Sequence, residues 1–205
     1  MRGRKRHFDD VINDYKEFEV HDYEPLELLL SRDGERNGDK TPERGGQVKL
    51  AFDHLARAFG DEIRREEGGG GGEGLDWLPP HAILYPPSDP SEQQLKPHVD
   101  SVRFSGKYVC GYTVQGGDER LLRLKWDDHG CDGRPVSHPL RDSVDQITIP
   151  LNTNSGYILS GPSRYLMTHE VVGGGVEDRI AVILRDVLEE DRVKFGMDDR
   201  SMKSK

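Results

Sequence analysis

Two periodicities divide the chain. Up to residue 67 apolar residues recur every three or four positions, and beyond residue 80 they recur at every second one. Phe8, Val11, Ile12, Tyr15 and Phe18 share one side of a helix predicted over 8–20. Pro25 stands where a second helix would start, Leu26, Leu29 and Leu30 follow, and Gly34 marks its end. Gly34, Asn37, Gly38, Pro42, Gly45 and Gly46 make 33–46 a surface loop. Phe52, Leu55, Phe59 and Ile63 alternate with Arg57, Asp61, Arg64 and Arg65, which predicts an amphipathic helix over 48–67. Five glycines from Gly68 to Gly72, then Glu73 and Gly74, stop it. They lack the Gly-Lys-Ser/Thr ending of a phosphate-binding loop and offer no side chain to bury, so they read as a flexible connection.

Period two then predicts eight strands, over 82–85, 95–102, 107–114, 120–125, 143–151, 156–160, 165–172 and 180–187. The connections between them are too short for the crossovers of a parallel sheet, which leaves an antiparallel sandwich or barrel. The expected class is α+β, helices first and β-structure after. Residues 127–141, with Gly130, Gly133, Pro135 and Pro139, form a polar connection at one sandwich end. The organisation expected is one structural domain: a helical support region over 1–80, a β core over 81–188 and a solvated tail over 189–205.

Composition narrows the function. The 205 residues carry 29 Lys and Arg against 38 Asp and Glu, a net charge of −9. Non-specific nucleic-acid affinity comes from Lys and Arg displacing counterions, and the one basic run, Arg2, Arg4, Lys5 and Arg6, is followed by ten acids between Asp9 and Glu35. No address is legible in that run, since targeting segments are poor in acids. No stretch approaches the ~18–20 apolar residues of a membrane span. Cys110 and Cys131 are too few for a disulfide framework or a four-cysteine zinc site, and both read as inert. Asp127, Asp128, His129 and Cys131 lack the second spaced pair of a zinc site and read as a solvated hairpin loop.

The chemistry begins at His98-Val99-Asp100, where strand geometry points both metal-capable side chains to one face. Two histidines and one carboxylate on one side of an octahedron hold the iron(II) of oxygen-activating enzymes and leave positions open. His169 is the candidate third ligand, expected on a facing strand. Arg179 and Arg185 flank an apolar strand at an even separation, so they share a face. Two arginines on an inner face call for a buried dianion, because a planar guanidinium meets a carboxylate with paired hydrogen bonds.

In this order, His98, Asp100, His169, Arg179 and Arg185 resemble the AlkB-like family of iron(II)- and 2-oxoglutarate-dependent dioxygenases over about 83–187. His98 to Ser101, Tyr157 to Gly161, Ser163-Arg164-Tyr165 and Thr168-His169-Glu170 are most similar to the mitochondrial AlkB homologue seven branch, which is linked to programmed necrosis and fatty-acid metabolism. The resemblance implies a double-stranded β-helix of jelly-roll, cupin-like form, with His98, Asp100 and His169 as catalytic iron ligands. It implies that Arg179 pairs with the distal carboxylate of 2-oxoglutarate, that Tyr157 hydrogen-bonds to it, and that Arg185 lies near the iron-chelating end. Iron(II), 2-oxoglutarate and O₂ are then the cofactors, and succinate is a product. Nucleobase-demethylating relatives carry an acid shortly after the His-x-Asp pair and an Asn two residues after the first arginine. Here Ser101 to Phe104 and Ala181 stand at those places, so the resemblance implies a protein substrate before RNA or DNA. The alternative reading is a metal-binding regulatory module with little turnover. Mitochondrial residence is implied by the branch, with cytoplasm or nucleus as the alternative, and a monomer is the default.

Overall fold

The computed structural model describes residues 16–19, 43–68, 75–87, 95–103, 105–129, 135–188 and 191. In chain order they form β1 (Lys16–Glu19), α1 (Glu43–Glu66), β2 (His81–Tyr85), β3 (Leu95–His98), β4 (Val109–Gln115) and β5 (Leu121–Trp126). A single 3₁₀ turn, Pro139–Asp142, precedes β6 (Gln146–Pro150) and β7 (Ser155–Leu159). The short helix α2 (Gly161–Tyr165), β8 (Met167–Val172) and β9 (Arg179–Arg185) complete the order.

Every ladder between these strands is antiparallel. A five-stranded sheet runs β1-β2-β9-β4-β7 and a four-stranded sheet runs β3-β8-β5-β6. Ile83, Val109 and Ile183 of the first sheet meet Leu122, Leu124 and Val171 of the second in one buried cluster. The α+β class and the antiparallel architecture are therefore as the periodicity predicts. On the outer face of the larger sheet, Phe52, Phe59 and Ile63 of α1 pack on Ala82, Cys110, Val182 and Leu184. Each such large side chain contributes about 1.5–3 kcal/mol on burial. β9 lies between these two cores. Its odd residues Arg179, Ala181, Ile183 and Arg185 face the other sheet, and Val182 and Leu184 face the helix.

Four expectations need correction. Residues 16–19 are not helical but form strand β1, whose backbone partners run from Lys16↔Leu84 to Glu19↔His81 on β2. A four-residue piece offers the same apolar spacing to either structure, and an open sheet edge satisfies its amides at once. The remainder of the predicted first helix lies outside the described residues, as do the second, the Gly69–Gly72 run and all of 189–205 except Asp191. Helix α1 begins at Glu43, inside the expected loop, with Gly45 and Gly46 in its first turn. Near a helix end the cost of a glycine, up to about 1 kcal/mol, is offset by the packing further along. Strand β3 stops at His98 because Pro97 cannot donate to the ladder, and the register shifts between Leu95 and His98. Finally, 161–165 is helical where strand was expected to begin at Tyr165. Among the described residues no helix is long and apolar enough to cross a membrane.

Candidate metal centre

His98 ends β3, Asp100 follows two residues later, and His169 sits in β8. His98 and His169 are register partners across the β3–β8 ladder, so His169 belongs to the adjacent strand of the same sheet and not to a facing one. The expectation of a facing strand fails because the sandwich brings β8 against β3 by hydrogen bonding, which sets the two imidazoles side by side. Their ring centroids are 4.1 Å apart. One ligand atom from each of His98, Asp100 and His169 lies within 4.8 Å of the others.

The protonation pattern suits a cation. His98 Nδ1 lies 2.9 Å from the Lys96 carbonyl oxygen, which can only accept, so Nδ1 carries the proton. Nε2 then faces Asp100 Oδ1 at 3.5 Å. A proton or a positive ion between these two atoms would satisfy both. Burial resists ionisation of Asp100, but the His98 and His169 imidazoles and the Arg185 guanidinium outweigh it and hold the carboxyl well below its usual range. His169 is driven the other way for a metal-friendly result. Burial, opposed by Asp100 and reinforced by His98 and Arg185, brings its pKa down to about 3 and leaves a neutral imidazole. An ionised carboxylate and unprotonated imidazoles are the forms in which these residues ligate.

All the sequence-derived candidates line one narrow cavity between the sheets: His98, Asp100, His169, Tyr157, Arg179 and Arg185. Arg185 approaches the ligands, with Nη2 at 3.9 Å from Asp100 Oδ2. Arg179 lies at the other end of the same face of β9 and is 2% exposed. Its Nη2 donates a long hydrogen bond of 3.5 Å to Thr113 Oγ1, while Nε and Nη1 have no hydrogen-bond partner among the described residues. A buried guanidinium with donors to spare is costly unless something anionic completes it, and a carboxylate from a small molecule matches its fork. Tyr157 points inward because Gly111, its cross-strand partner, has no side chain; a Cβ there would sit 2.3 Å from the Tyr157 ring. Burial pushes the Tyr157 hydroxyl above its ordinary range, so it is a donor at every ordinary pH.

Two residues gain a definite place: Tyr85, whose role the sequence leaves open, and Arg164, to which it gives none. Tyr85 is the register partner of Arg179, and the guanidinium carbon stands 4.9 Å from its ring centroid. That cation–π contact is worth about 2 kcal/mol when desolvated, and it orients the arginine. The signal was present as a tyrosine upstream of His98, but the pairing of β2 with β9 is not legible in one sequence. Arg164, 2% exposed, reaches the backbone of Asp100 from α2. By contrast the Asp127–Asp128 segment is not drawn into any metal cluster among the described residues, and Asp128 pairs with Arg141 at 2.8 Å. Residues 130–134 of that loop, Cys131 included, lie outside the described residues. Cys110 is fully buried under α1, and burial pushes its thiol up to about 12, which agrees with an inert role.

No family model matches the chain, and no curated protein does. Among solved structures, a cupin domain from Bordetella pertussis Tohama I is similar over 57% of this chain and 99% of its own, at 9% identity and a TM-score of 0.30. The architecture described above rests on the strand register.

Proposed function

We propose that this protein is an iron(II)- and 2-oxoglutarate-dependent dioxygenase of the AlkB-like kind, nearest the mitochondrial AlkB homologue seven branch. One observation carries the reading: a His-Asp-His cluster shares a cavity with a buried arginine, Arg179, whose Nε and Nη1 are unmatched. Arg120 and Arg164, equally buried, each leave only Nε unmatched among the described residues, whereas Arg179 leaves two nitrogens. In this reading the sandwich is a double-stranded β-helix, which is supported by the winding of the chain. From β2 to β9 successive strands alternate between the two sheets, the β5–β6 hairpin excepted.

His98, Asp100 and His169 would hold the metal. Arg179, steadied by Tyr85 and Thr113, would take the far carboxylate of 2-oxoglutarate, with the Tyr157 hydroxyl donating to it. Arg185 would lie at the metal end, where its charge keeps Asp100 ionised. When bound, such a centre supplies oxidative decarboxylation of 2-oxoglutarate to succinate and CO₂, coupled to oxidation of a substrate C–H bond. The chain's own part is to bind and orient the cosubstrate and to exclude water, which the buried walls Ile83, Leu95, Val109, Val171 and Ile183 provide. A protein side chain is the proposed substrate, because the acid balance of −9 disfavours a polyanion. Mitochondrial residence and a part in programmed necrosis or fatty-acid metabolism follow the same branch likeness.

The test is succinate release from 2-oxoglutarate with iron(II) and ascorbate. Wild type is expected to form succinate well above a His169→Ala control. Equal traces from both would sink the oxygenase reading and leave a metal-binding module.

A further inference from the structure

We propose that Arg164 is a positioning residue of the metal centre, one that fixes the backbone from which Asp100 projects. The proposal rests on the metal-centre reading above and extends it to a residue outside the cavity. Helix α2 is a single tight piece. Ser163 Oγ accepts from the Ser160 amide at 3.0 Å and donates to the Ser160 carbonyl at 2.8 Å, and the Leu166 amide closes on Pro162 O at 2.8 Å. This turn carries Arg164 inward to 2% exposure.

Both terminal nitrogens of its guanidinium donate to the segment around and after Asp100, and only Nε is unmatched among the described residues. Nη1 donates to Asp100 O at 2.7 Å, and Nη2 donates to Ser105 Oγ at 2.8 Å and Ser101 O at 3.3 Å. The same connection is held from its other end by Asp186, whose carboxylate accepts the Lys107 and Tyr108 amides at 2.9 and 2.8 Å. Asp100 lies beyond the end of β3, so no ladder hydrogen bond steadies it. The arginine supplies the restraint a strand would have given. A ligand that must hold its oxygen within about half an ångström of a bonding position needs such support.

Arg120 makes a natural control. It too is 2% exposed and donates to backbone carbonyls, those of Gly116 and Glu177. It precedes β5 by one residue, four before Leu124, the register partner of His169. Its replacement should cost stability without touching the Asp100 backbone.

The experiment is titration of the metal-free full chain with Co(II), read by its visible absorption bands, beside thermal melting of each metal-free variant. Arg164→Met is expected to bind Co(II) about 10- to 100-fold more weakly than wild type, the range for loss of an outer support. Arg164→Lys, with one compact donor group, should fall between them, and Ser105→Ala should weaken binding less. Arg120→Met and Arg120→Lys should melt lower yet bind Co(II) within about twofold of wild type. Should Arg164→Met fail to fold, Arg164→Lys and Ser105→Ala decide the matter at a temperature where all variants are folded. Affinities for these within about twofold of wild type, or losses matched by the Arg120 variants, would overturn the positioning role alone. Wild type binding no tighter than His169→Ala would overturn the metal-centre reading, and this role with it.

Discussion

Arg179 is where stability and function part company. A buried guanidinium with two unmatched nitrogens is a cost to the ligand-free fold, so Arg179→Met should leave the melting temperature unchanged or raise it. The same variant should raise the KM for 2-oxoglutarate by about 100-fold, from two charge-assisted hydrogen bonds of roughly 1.5 kcal/mol each. A simple core arginine would show neither result. Gly111→Ala makes the complementary prediction. Its Cβ would collide with the Tyr157 ring, so urea denaturation should show about 1–3 kcal/mol of lost stability, with weaker cosubstrate binding as the ring is displaced. At this scale the sequence was informative about charged residues. His98, Asp100, His169 and both arginines announce themselves because their types and even spacings have few structural uses. Tyr85, Thr113 and Arg164 do not, since their roles depend on which backbone lies opposite, and β-ladders join residues tens of positions apart.

The elements were legible in proportion to their length. Twenty-four residues of α1 repeat the helical spacing often enough to be unmistakable, whereas the four residues of β1 were misread. Alternation located β2, β4, β5, β7, β8 and β9 to within a few residues, because each has one face on the inner core and the other toward α1 or solvent. What alternation cannot reveal is partnership, and so His169 was expected opposite its partner ligands instead of beside His98. Within α1, Gly60 is an expensive residue with room for a methyl group, its nearest neighbour to a Cβ being Arg64 Nη1 at 3.9 Å. Gly60→Ala should stabilise the protein by about 0.5–1 kcal/mol in urea denaturation, without altering metal binding.

For the molecule as a whole, the two cores on either side of the larger sheet set an upper limit on pH. Burial, with a smaller contribution from Asp186, raises the Cys110 thiol from 9.0 to about 12 in the folded state, and the Tyr108 and Tyr157 hydroxyls are raised as well. Groups raised in this way contribute stability that is complete below their unfolded values and is lost as pH climbs toward the folded ones. The melting temperature should therefore decline between pH 9 and 12, and Cys110→Ala should remove one proton's share of the slope, about 1.4 kcal/mol per pH unit. The seam between β3 and β8 has a different consequence. Its register is interrupted at Pro97, and only Leu95↔Val171 and His98↔His169 pair across it. An ion gripped by His98 and His169 would act as a rivet through that weak joint. Amide hydrogen exchange in residues 95–100 should then slow when metal is added, while exchange along β4 and β9 stays the same, so that occupancy of the centre and closure of the smaller sheet become one event.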